Sequence, residues 1–152
     1  MKVHKHNHKL HLPDGLGRLT LAGAIVIYLV IVLGGIVRAT GAGLTCTGWP
    51  LCEGQWSLPA DPLAWFAFSH RAGTLLVVPM LGVAVVWALK KFRQERWISL
   101  PLILAGIVLA VQIFVGRFIV LQGLQGMETA LHLGLSLVLE MLVIVPTVVA
   151  FY

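Results

Sequence analysis

Four stretches of this chain are long, apolar and nearly free of charge, and they restrict the possible folds more than any other feature. Leu19 to Val37, Ala72 to Leu89 and Ile98 to Gly116 contain no Asp, Glu, Lys or Arg, and Thr129 to Tyr152 contains only Glu140, with His132 as its single histidine. The second apolar run begins near Leu63. Each approaches the roughly 20 residues that cross a hydrocarbon core. A backbone in lipid has no water to bond, so it spans as a helix or as part of a closed barrel. Four such runs predict an all-α fold, a four-helix transmembrane bundle over residues 19–152, with residues 1–18 as a basic, histidine-rich tail. Composition agrees: 59% of the 152 residues are hydrophobic and 11% charged, too few charges to cover a soluble domain. Too little chain remains for a second folded domain.

The net charge of +5 reads as membrane topology rather than as nucleic-acid binding. Lys2, Lys5, Lys9 and Arg18 precede the first span, and Lys90, Lys91, Arg93 and Arg96 lie between the second and third. Ala39 to Asp61 and Leu121 to Glu128 contain no Lys or Arg. Basic loops stay on the cytoplasmic side, so both termini are expected inside and the loops after spans one and three outside, in the plasma membrane of a prokaryote. A cleaved signal peptide is not expected, because the first apolar run is long and no small-residue cleavage site follows it.

The loop after the first span reads Gly-Leu-Thr-Cys-Thr-Gly-Trp-Pro-Leu-Cys-Glu-Gly-Gln, residues 43–55, and holds the only two cysteines, Cys46 and Cys52. On an oxidising outer face a disulfide is geometrically plausible, with Gly48 and Pro50 supplying the turn. A redox-active pair and free thiols are the other readings; metal binding is weak with two cysteines and no histidine nearby. In the tail, His4, His6, His8 and His11 alternate, and a solvated basic tail is favoured over a chelating one. Gly34 and Gly35 permit close helix packing. Pro79 and Pro146 are expected to kink spans two and four. A faint internal echo also runs through the chain: Arg38 precedes His70 and Arg117 precedes His132, each pair on a hairpin with an outer loop, as though two hairpins faced each other about a pseudo-twofold axis.

Ionisable side chains inside a bilayer are expensive and need partners. His70 and His132 each fall one to two turns below the outer end of a span running inward, so they share a depth. Two imidazoles at matched depth on parallel helices could ligate one haem iron from both faces. Arg38, Arg71 and Arg117 could pair with its propionates. A structural polar pair and an ion or proton path are the alternatives. Glu140, two turns beyond His132 on the same face and roughly 12 Å deeper, would relay protons or fix its helix against a neighbour.

The segments "GGIVRATGAGLTCTGWPLCEGQ", "FSHR" and "ALHLGLSLVL" resemble the haem A synthase family, over nearly the whole chain after the tail. Its members oxidise a methyl group of haem O to the formyl group of haem A for cytochrome oxidase. The resemblance implies a haem cofactor or substrate (haem b, haem O or haem A), His70 and His132 as axial ligands, and Cys46 and Cys52 as a pair whose loop caps the haem. Family members usually have eight helices in two homologous halves, and half-length archaeal relatives exist. One half therefore implies a homodimer, or assembly with respiratory-complex subunits, in membrane lipid. The chain departs from the pattern at Ala67, where the family typically has a glutamate near the reacting haem edge. Alanine moves no proton, so Glu128, one turn before His132, is the candidate catalytic acid, against the plainer role of a charge at a helix start. The alternative function is a catalytically silent haem b-binding, electron-transfer subunit; a haem-free structural protein is the third.

Overall fold

The computed structural model describes residues 14–52, 58–123 and 126–151; the four tail histidines lie outside them. Four helices follow one another: α1 Asp14–Thr40, α2 Ala64–Lys91, α3 Arg96–Gln122 and α4 Met127–Phe151, with a short 3-10 turn at Ala42–Leu44 after α1. All four are long and apolar enough to cross a membrane, and among the described residues there is no strand.

Helix α1 starts at Asp14, before the charge-free run at Leu19. Arg18 bounds that run but is exposed, while Leu16, Gly17 and Thr20 are buried, so the extra turn is held by packing on the inner face. The start of α2 is set by Asp61, whose carboxylate accepts the Leu63 N–H at 2.8 Å and whose carbonyl accepts the Ala64 N–H at 3.1 Å. Lys90 and Lys91 end α2, where cations complement the negative helix end. Gly123 ends α3 with φ +61°, the left-handed conformation that glycine adopts at helix ends. Both α2 and α4 run on as single helices through Pro79 and Pro146.

Helix α1 packs against α2 and α4, and α3 packs against the same two. Helices α2 and α4 thus face each other across the bundle, which places the two histidine-bearing helices on opposite sides of one interior. The main core joins Leu16, Ala24 and Ile27 of α1 to Leu81, Ala84 and Ala88 of α2, Ile98, Leu102 and Ala105 of α3 and Val143 of α4. Alanines recur at these contacts because only small side chains let backbones approach closely in lipid, where apolar burial alone gives helices little reason to associate. Large apolar residues such as Leu29, Val83, Phe114 and Met141 point outward and are exposed, as a lipid-facing surface requires. A second, separate cluster forms at the cysteine-loop end from Cys46, Cys52, Ala64 and Ala67.

Candidate functional site

His70 on α2 and His132 on α4 meet across the bundle with ring centroids 6.5 Å apart and ring planes at 66°. Nδ1 of His70 lies 2.9 Å from the carbonyl oxygen of Val30 on α1. A carbonyl only accepts, so this nitrogen carries the proton and Nε2 keeps its lone pair. His132 is held through its backbone instead: Gln112 Nε2 on α3 donates to its carbonyl at 3.0 Å, and to the Ser136 hydroxyl.

The two hairpins repeat this construction. Thr74 Oγ1 donates to the His70 carbonyl at 3.0 Å, and Ser136 Oγ donates to the His132 carbonyl at 2.8 Å; each hydroxyl lies four residues after its histidine. Each imidazole also lies against a glycine of the neighbouring helix. A Cβ on Gly34 would stand 3.0 Å from Cε1 of His70, and one on Gly116 would stand 3.2 Å from Cε1 of His132. Four residues before those glycines come Val30 and Gln112, the residues that hold the two histidines. The echo seen in the sequence is therefore a repeat of histidine, hydroxyl and glycine, and the arginines are out of its register: Arg38 lies four residues after Gly34, Arg117 one after Gly116.

These residues fit a haem iron. A metal bonded at about 2 Å to one nitrogen of each ring puts the two centroids roughly 6 Å apart, close to the observed 6.5 Å. Among the described residues no group of three or more His, Cys, Asp and Glu could hold a metal ion. A haem held between these two imidazoles would bring the remaining iron bonds in its own porphyrin.

The cysteine loop lies over this end of the bundle. Cys46 and Cys52 form a disulfide with Cα atoms 4.7 Å apart, buried to 0% and 5% exposure against Ala64 and Ala67 of α2. Gly48, with φ +81°, makes the turn between them. Arg71, next to His70, donates to the carbonyls of Gly48 at 2.9 Å and Cys46 at 2.6 Å. Arg117 on α3 stands 5.3 Å above the Trp49 ring, a cation–π distance. The loop is thus closed on itself by the disulfide, tied to α2 by the arginine fork, and reaches across to α3.

Of the other anticipated site residues, Arg38 stands exposed in the last turn of α1. Glu128 lies in the first turn of α4, one turn before His132, partly exposed. Glu140 lies two turns beyond His132, and its Oε2 is buried without a hydrogen-bond partner. Val30, Thr74, Gln112, Gly116 and Ser136 were not anticipated. A hydroxyl four residues after each histidine was the available signal, but its meaning depends on which helices are neighbours.

Comparison with known proteins points the same way. A family model described as cytochrome oxidase assembly protein matches residues 17–65. A haem A synthase of Geobacillus thermodenitrificans is 32% identical over 108 residues, covering 70% of this chain and 34% of the relative. One from Halalkalibacterium halodurans is 37% identical over 106 residues, covering 69% and 35%. A protoheme IX farnesyltransferase of Haloquadratum walsbyi is 28% identical over 128 residues, covering 80% of this chain and 26% of that protein. The chain therefore spans about a third of the length of the haem A synthases it matches.

Proposed function

We propose that this chain, a member of the haem A synthase family, binds haem between His70 and His132 and supports oxidation of the haem O methyl group to the formyl group of haem A. The observation that carries this is the pair of imidazoles on facing helices, 6.5 Å apart, one with its Nε2 freed by the bond to Val30. The likeness to a protoheme IX farnesyltransferase supports a farnesylated protohaem as substrate.

His70 and His132 would hold the haem, which when bound supplies the oxidising chemistry. The protein's own residues position and shield. The Val30 carbonyl fixes the rotation of the His70 ring, while the Thr74 and Ser136 hydroxyls donate only to the backbone of their own helices. The disulfide loop closes the bundle end and excludes water, with Arg71 holding it in place. Arg38, Arg71 and Arg117 offer cations for the propionates at this end. Ala67 is buried beneath the disulfide at 2% exposure, so proton transfer falls to Glu128, at the mouth of α4.

Both termini lie inside and the cysteine loop outside, by the distribution of Lys and Arg. Two copies pair into an eight-helix unit. The test is haem extraction from the purified, detergent-solubilised protein, with chromatography, mass identification and an absorption spectrum. Haem O, a hydroxylated product or haem A supports the reading. Haem b alone, lost in His70→Ala or His132→Ala, favours an electron-transfer subunit, and a folded protein without haem sinks both.

A further inference from the structure

Two buried polar atoms close to each other in the fold have no hydrogen-bond partner, Gln112 Oε1 and His132 Nδ1. They are chemically complementary. A neutral imidazole that ligates through Nε2 must carry its proton on Nδ1 and donate it, whereas an amide oxygen only accepts. The orientation of the Gln112 amide is not arbitrary. Its nitrogen faces the His132 carbonyl at 3.0 Å, a position an amide oxygen could not occupy without two acceptors meeting. Oε1 is therefore the end left over, on a side chain only 6% exposed.

The repeat between the hairpins says what this end is for. Val30, four residues before Gly34, gives His70 its Nδ1 acceptor. Gln112, four residues before Gly116, stands at the matching place beside His132. The Val30 peptide does the work in one half; in the other half a side-chain amide replaces it. The His132 ring has room to turn toward it, because its neighbour Gly116 has no Cβ, and an atom there would come within 3.2 Å of Cε1 and 3.9 Å of Nδ1.

We infer that Gln112 is the positioning residue of His132: its NH2 group grips the His132 carbonyl and the Ser136 hydroxyl, and its Oε1 accepts the Nδ1 proton when Nε2 ligates iron. This rests on the haem-binding reading above. Partners of a ligating imidazole set its orientation and basicity, and their loss typically weakens the metal bond by roughly 10–100-fold.

The test uses the haem-loaded, detergent-solubilised protein. Midpoint potential and haem dissociation rate are measured for wild type, Gln112→Leu and Ser136→Ala. Leucine removes the acceptor, so the His132 imidazole donates less charge; the potential should rise and haem should leave roughly tenfold faster or more. Ser136→Ala keeps Oε1 and the grip on the His132 carbonyl, and its potential should stay at the wild-type value. Should Gln112→Leu fail to accumulate, Gln112→Asn, whose amide is withdrawn by one methylene, should show the same rise. A wild-type protein that takes up no haem sinks the underlying reading and this inference with it. A haem-loaded wild type whose Gln112 variant keeps potential and dissociation rate unchanged overturns the inference alone.

Discussion

Replacing Gly34 by alanine tests the histidine geometry with a single methyl group. The new Cβ would stand 3.0 Å from Cε1 and 3.2 Å from Nδ1 of His70, closer than carbon atoms pack at rest. The ring must yield by a few tenths of an ångström, yet its Nδ1 is bonded to Val30 at 2.9 Å, so yielding strains or breaks that bond. Overpacking of this kind costs about 1–3 kcal/mol, and a lost hydrogen bond adds about 1 kcal/mol. Against this, alanine gains roughly 1 kcal/mol in helix propensity over glycine. The fold should therefore survive with a net loss of about 1–3 kcal/mol, while the displaced imidazole should lower haem affinity by roughly 10–100-fold. Gly35→Ala is the internal control: it adds the same methyl one residue on, where no atom lies within 4 Å. Haem content per protein and the absorption spectrum are measured for both. A Gly34→Ala protein with full haem and an unaltered spectrum would refute the reasoning, as would equal losses in the two variants.

Three further outcomes follow from the same geometry. Gly73→Ala should separate α1 from α2, because its Cβ would come within 2.6 Å of Val30 Cγ2, the end of a stiff β-branched side chain; thermal unfolding in detergent should begin several degrees lower. Arg71→Ala removes both donors to the loop carbonyls, so residues near Gly48 should be cut faster by added protease while the disulfide persists; cleavage at the wild-type rate would count against the tether. Glu128→Gln should leave haem content unchanged and reduce formation of the oxidised haem by roughly 10²-fold or more, the scale of a lost general acid, and undiminished product would remove Glu128 from the mechanism.

The spans were legible because lipid allows so few solutions: a charge-free run of about 20 residues has to be a helix or a barrel strand. The histidines were legible for the same reason, since His70 and His132 are polar groups where such groups are rare. Legibility stopped where meaning depended on neighbours. The Arg71 guanidinium also grips the loop carbonyls, a contact fixed by the path of a loop that no periodicity encodes. Gln112 looked like any polar residue in an apolar span. Its role emerges only when α3 lies beside α4 with Gly116 against the His132 ring. The start of α1 was misplaced because charge alone was counted; Arg18 faces outward while Leu16 and Thr20 face the core.

The repeat of histidine, hydroxyl and glycine in both hairpins sets the two imidazoles opposite each other in one bundle. A haem iron held from both faces needs two similar imidazoles on opposing surfaces, and a hairpin that supplies one can supply the other if it is turned about a twofold axis. The hairpins differ around that repeat. The first carries the disulfide cap and the backbone acceptor Val30. The second carries Gln112 beside its histidine and a carboxylate in its first turn. The staple packs directly on Ala64 and Ala67, so position 67 places no carboxylate beneath the cap. The cap thus sits on one hairpin, while Glu128, one turn before His132, stands at the start of the last helix of the other.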